Sequence, residues 1–151
     1  RQLRALVALV QAAVLETGGE GNGALALAKA LVGRRVLLPE MYDLMDKVFE
    51  VAVRSHVPAA RQAAAGAFAA YLLNYPLGEK RLQGHLDRLV GALGYAHEEG
   101  RLSAAAALQA VLQRLPAPVL GERAAFFFLP LALRLTQDPA PACRRALGAT
   151  V

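Results

Sequence analysis

The segment Pro58-Ala59-Ala60-Arg61-Gln62-Ala63-Ala64 returns as Pro141-Ala142-Cys143-Arg144-Arg145-Ala146-Leu147, and Gly100-Arg101-Leu102-Ser103-Ala104-Ala105 stands roughly midway between them. The arginines at 61, 101 and 144 lie 40 and then 43 residues apart. A period of that length is the mark of stacked helical hairpins, in which each unit completes its core against its neighbours. The spacing therefore predicts an all-α chain built as an α-solenoid of antiparallel helix pairs, in the window where HEAT and armadillo repeats recur.

Composition agrees. Hydrophobic residues make up 56% of the chain, Trp is absent, and the dominance of Ala and Leu favours helix over sheet. The apolar run Ala124 to Leu133 is far shorter than the roughly 20 residues that cross a bilayer, so this hydrophobicity is expected in a protein core rather than a membrane. The chain opens on Arg1 without the basic, apolar, small-residue order of a signal peptide, and reads as a piece of a longer protein. A single cysteine, Cys143, cannot form an internal disulfide and fits a reducing compartment. The net charge of +5 is a mild excess, concentrated after residue 58 and compatible with RNA or acidic partners.

Periodicity places the helices. Residues 2 to 15 put Leu3, Leu6, Val7, Val10 and Val14 on one stripe, and the run from Thr17 to Gly23 is read as a flexible connector. A shorter helix from Ala24 is expected to stop at Gly33, with Pro39 starting the next. Met41, Leu44, Met45, Val48 and Ala52 then line an outer helix whose other face carries the i,i+4 pairs Asp43–Lys47 and Glu50–Arg54. Ala64, Phe68, Tyr71, Leu72 and Tyr75 define the inner helix that packs back. Leu82, Leu86, Leu89, Val90 and Leu93 face Leu102, Ala105, Leu108, Leu112 and Leu115 across a turn from Gly94 to Gly100. After Pro116 and Pro118 one helix carries Phe127, Phe128, Leu131 and Leu135, and Asp138-Pro139-Ala140-Pro141 opens the last.

The expected division is one segment, 1–151, of a longer array: an irregular pair over 1–39 and repeats over 40–76, 77–116 and 117–151, about three and a half pairs. The run 124–133 is apolar all round, which implies burial on more than one side, by neighbours or by a docked partner. Pro130 inside it should kink or interrupt the helix. The arginine recurring near the start of each second helix is placed to cover the preceding helix with its stem and to reach a carboxylate or carbonyl of the adjacent repeat.

Chemistry-bearing patterns are sparse. Gly19, Gly21 and Gly23 alternate, but no strand precedes them and no Gly-Lys-Ser/Thr follows, so a connector fits better than a phosphate loop. His97-Glu98-Glu99 lacks the spacing that sets two ligands on one helical face, and His56 and His85 are isolated, which suits surface or turn positions. Asp43 and Asp46 share a face that is the solvated one, and Cys143 reads as a small buried residue at a repeat interface. No enzyme, cofactor, metal or small-molecule substrate is expected. The basic groups Arg34, Arg35, Lys80, Arg81, Arg88, Arg144 and Arg145 are candidate contacts for RNA or a protein partner; no aromatic residues are interleaved with them, so base stacking is not indicated.

Four strings go beyond repeat periodicity. Met41-Tyr42-Asp43-Leu44-Met45-Asp46-Lys47-Val48, Tyr71-Leu72-Leu73-Asn74-Tyr75-Pro76-Leu77-Gly78-Glu79-Lys80, Gly94-Tyr95-Ala96-His97-Glu98-Glu99-Gly100-Arg101 and Phe126-Phe127-Phe128-Leu129-Pro130-Leu131 resemble, in this order, a stretch of the DRIM family. These are giant HEAT-repeat subunits of the nucleolar small-subunit processome. The resemblance covers about residues 41 to 151. It implies a non-catalytic scaffold in the nucleus and nucleolus, supporting pre-rRNA processing and small-subunit assembly, with assembly-factor proteins and pre-ribosomal RNA as partners in a large complex. Repeat length alone equally suits a protein-binding adaptor of transport or phosphatase-regulatory type.

Overall fold

Punctuation by Gly and Pro sets the helix ends. The structure is a computed structural model that describes residues 1–18 and 23–150. Its helices are α1 Gln2–Thr17, α2 Gly23–Gly33, α3 Glu40–Arg54, α4 Pro58–Asn74, α5 Glu79–Ala92, α6 Glu98–Leu112, α7 Ala117–Glu122, α8 Ala124–Gln137 and α9 Pro141–Thr150. Among the described residues there is no strand. The connector read over Thr17 to Gly23 lies mostly outside the described residues.

The helices form two layers. In one, α2, α4, α6 and α9 pack in succession; in the other, α3 covers α4, α5 covers α6, α8 covers α9, and α1 packs on α2 and α3. This is an α-solenoid of HEAT-like helix pairs. Its spine is continuous: Val10, Val14, Leu25, Met41, Leu44, Val48, Phe68, Tyr71, Leu86, Leu89, Leu108, Val111, Phe127 and Leu147 all belong to one apolar cluster. The α3 stripe is buried as its spacing requires, and Phe49 and Val53 widen it.

Small residues decide how closely the inner layer packs. Gly100 sits in the first turn of α6, inside the helix rather than in the turn expected from the sequence. A Cβ there would come within 2.6 Å of the Val53 carbonyl oxygen and 2.4 Å of the Tyr95 ring. Only glycine lets α6 approach the end of α3 so closely.

The three echoed arginines occupy equivalent places, and their partners correct the expectation. Arg61 Nη1 donates to the Ser55 carbonyl at 2.8 Å, Arg101 Nη1 to the Tyr95 carbonyl at 3.0 Å, and Arg144 Nη1 to the Asp138 carbonyl at 2.5 Å. Each reaches six residues back. The acceptor is the turn of the same pair, not the adjacent repeat, because a helical side chain leans toward its own N-terminus. Arg101 alone also crosses: its Nε and Nη2 donate to Asp138 Oδ2 and Oδ1 at 2.9 and 3.2 Å, tying α6 to the α8–α9 turn.

Other expectations are corrected at the chain's less regular places. Helix α2 stops at Gly33 as expected, but Arg35 makes the cap: it takes the left-handed conformation at φ 50°, with its N–H bonded to the Val32 carbonyl and the Val36 N–H bonded to that of Leu31. That is a Schellman cap with arginine where glycine is usual. The short α7 is an extra element, its six residues too few to show a period. Helix α8 runs unbroken through Pro130. It buries Phe127 and Leu131 and leaves Phe128, Leu129 and Leu133 at 60%, 69% and 51% exposure, so burial is one-sided within the chain. Leu3 and Leu6, placed on the α1 stripe, are likewise exposed.

Candidate interaction surface

Stacked pairs have two edges, one made of turns inside pairs and one of turns between pairs. Inside-pair turns meet where Ser55 Oγ donates to the Gly18 carbonyl at 3.3 Å, where Gly100 abuts Val53, and where Arg101 grips Asp138. Between-pair turns meet where the Tyr75 hydroxyl donates to the Val36 carbonyl at 2.9 Å and where Arg123 bonds both Glu79 and Gln83. The second edge gathers four of the candidate cations. Arg34 and Arg35 follow α2, Lys80 and Arg81 lie in the first turn of α5, and all four are exposed. Arg81 lies over the Tyr42 ring, 3.8 Å from its centroid, and Tyr42 meets Tyr75 edge-on at 6.1 Å, so the two turns share one aromatic floor.

The remaining candidates lie elsewhere. Arg88 is half-buried on α5, paired with Asp46 at 2.5 Å and Glu50 at 3.7 Å, and stacked on Phe49 at 4.4 Å. Its fork joins α5 to α3. Arg144 and Arg145 sit on the inside-pair edge, Arg144 with its fork on the Asp138 carbonyl and Arg145 exposed. The Glu50–Arg54 pair forms at 3.1 Å.

Titratable groups in the core are held by packing. His85 is half-buried with edge-on contacts to Phe68 and Tyr71 at 5.7 and 5.3 Å, so the expectation of a surface position fails for it. Burial lowers its pKa, Arg88 and Arg81 add to that, and Asp46 opposes it. Burial likewise raises the Tyr71 hydroxyl, and the charges of Tyr42, Tyr75 and Asp46 push the same way. Among the described residues neither the Tyr71 hydroxyl nor His85 Nδ1 has a hydrogen-bond partner. Burial would raise Asp138, but hydrogen bonds from Arg101 and the Ala140 N–H hold it below the usual carboxylate range. Cys143 is buried at the α6–α9 contact, where burial pushes its thiol up. Among the described residues no three His, Cys, Asp or Glu side chains cluster as metal ligands, and no helix is long and apolar enough to cross a membrane.

The inner layer offers a shallow groove between α4 and α6, floored by Ala65, Gly66 and Ala107 and rimmed by Gln62, Glu99 and Ser103.

Two curated proteins align with most of this chain. One, from Schizosaccharomyces pombe, is 29% identical over 119 residues, 79% of this chain; the other, from Saccharomyces cerevisiae, is 30% identical over 116 residues, 77% of this chain. The chain is similar to one short segment of U3 small nucleolar RNA-associated protein 20. It spans about 5% of the length of each relative. No protein-family model matches the chain. The resemblance to the DRIM family carried by the four ordered strings is borne out by these two relatives.

Proposed function

We propose that this chain is a non-catalytic scaffold segment of a small-subunit processome component, supporting pre-rRNA processing and small ribosomal subunit assembly through protein and RNA contacts in the nucleolus. The observation that carries the reading is the alignment of most of the chain with one stretch of proteins named for association with the U3 small nucleolar RNA. A stacked-helix architecture supports it, because a solenoid presents long surface from simple units. Residues 1–151 act as one segment of a longer helical array, with an irregular pair over 1–39 and repeats over 40–76, 77–116 and 117–151. The exposed Leu3 and Leu9 of α1 and the exposed Phe128, Leu129 and Leu133 of α8 support this, being apolar faces at the two ends of the stack that further helices would cover.

The test is sedimentation of the tagged parent protein from nuclear extract, with U3 RNA probed across the gradient. Co-migration with U3 in large particles is expected; recovery wholly in fractions without U3 overturns the proposal. A second reading is favoured by the α4–α6 groove, whose Ala and Gly floor would let a peptide backbone approach an adaptor surface. Pull-downs dominated by one folded protein, free of RNA, would select it.

A further inference from the structure

Resting on the scaffold reading, we infer that the edge built from the turns between pairs is a track for the sugar–phosphate backbone of RNA, carried by Arg34, Arg35, Lys80, Arg81 and Arg114. Arg114 joins the set because it follows α6 as Arg34 and Arg35 follow α2, and α2, α4 and α6 pack in succession with their ends on this edge. All five side chains are exposed.

Two carboxylates of this edge are occupied by cations outside the set, and Asp43 in the first turn of α3 stays exposed. Glu79 is bonded by Arg123, and Glu40 pairs with Arg4 at 3.5 Å. Glu122 remains exposed at the end of α7. On the opposite edge Arg61 and Arg144 lay a guanidinium nitrogen on turn carbonyls and Arg101 adds the Asp138 carboxylate, while Arg145, Glu98 and Glu99 are exposed. Among the described residues, the first edge therefore sets five exposed cations outside any ion pair against the exposed Asp43 and Glu122, whereas the opposite edge sets Arg145 against Glu98 and Glu99.

Local helix electrostatics explain only part of the row. Cations just past the C-termini of α2 and α6 offset the partial negative charge of those helix ends. Lys80 and Arg81 lie in the first turn of α5, where the helix end is partially positive and disfavours them. The Tyr42 ring holds Arg81 there, and an anionic strand along the edge supplies a reason for Lys80 beside it. Base reading is not part of it. Tyr75 is buried, Tyr42 is half-buried, and Arg81 covers the Tyr42 face, which leaves bases no open platform.

The experiment measures binding of the 151-residue chain to a mixed-sequence single-stranded RNA by fluorescence anisotropy over a range of KCl concentrations, with circular dichroism verifying the fold of each variant. Five phosphate contacts predict a log–log salt slope of about −3.5, and Lys80→Gln with Arg81→Gln should weaken it by about 1.4. Arg54→Gln with Arg145→Gln removes the same charge from the opposite edge and should leave the slope unchanged. Equal effects of the two double variants, a slope near zero, or equally tight binding of polyglutamate would overturn the track. Failure of these arms while the unaltered parent still sediments with U3 sinks the track alone. Absence of the parent from U3 particles sinks the scaffold reading beneath it.

Discussion

Replacing Asp138 by alanine should cost the stack its firmest tie between pairs. The Arg101 side chain is only 10% exposed and that of Asp138 1%, and the carboxylate accepts two guanidinium bonds plus the Ala140 N–H. Removing it strands a buried guanidinium whose remaining acceptors are two carbonyls, Tyr95 and Ala96. Breaking one side of such a pair typically costs about 3–5 kcal/mol, far more than an exposed bridge is worth. With a urea dependence of about 2 kcal/mol per molar, the midpoint followed by ellipticity should fall by about 2 M. Because what hurts is the orphaned charge, Arg101→Met combined with Asp138→Leu should recover most of the loss. The pH dependence carries the same signature. Asp138 has a lowered folded pKa, so its contribution is present above the unfolded value near 3.9 and is lost as pH falls through the folded one. Asp138→Ala should flatten that acid limb. A midpoint shift below about 0.5 M, or a double variant no better than the single, would refute the assignment of Arg101–Asp138 as a buried tie.

Other variants test single features. Arg35→Gly should stabilise the chain by about 1 kcal/mol, since Arg35 holds a left-handed conformation that glycine adopts freely; an unchanged melting temperature would contradict the cap. Gly100→Ala should cost about 1–3 kcal/mol against the rigid Val53 carbonyl, whereas Gly94→Ala, whose close contact is the guanidinium end of Arg134 and which has the Gly91 carbonyl at 3.4 Å, should cost much less. Equal melting temperatures for these two variants would sink that reading. His85 has a lowered folded pKa, so the unfolded chain takes up the proton first and stability should fall as pH drops below about 6.5. His85→Phe should remove this slope while keeping the ring contacts with Phe68 and Tyr71, and a slope that persists would assign it to another group.

What the sequence made legible follows the strength of its periodic signals. Helix α3 has seven buried apolar positions in fifteen residues and flanking breakers, and both its limits and its buried face can be read directly. The arginine period exposed the stacking, because each copy sits at the same distance from its turn. Helix α7 has no such signal, for six residues complete fewer than two turns. For α8 the all-apolar run tells how much surface wants cover but not what supplies it: within the chain α9 and its neighbours cover Phe127 and Leu131 and leave Phe128 outside. Among the candidate cations, type and spacing could not separate Arg88, committed to Asp46 across 42 residues, from Lys80 and Arg81 on the same helix. That separation is tertiary. Arg114, which the proposed track adds, stands alone in sequence, and only the succession of α2, α4 and α6 aligns it with the other cations.

Native-state hydrogen exchange of the Asp138→Ala chain tests the stacked array most directly, because in such an array each pair depends chiefly on its neighbours. Amides of α8 and α9 should lose protection while those of α3 and α4 keep theirs. Uniform loss of protection across all the helices would show a single cooperative globule and contradict the account.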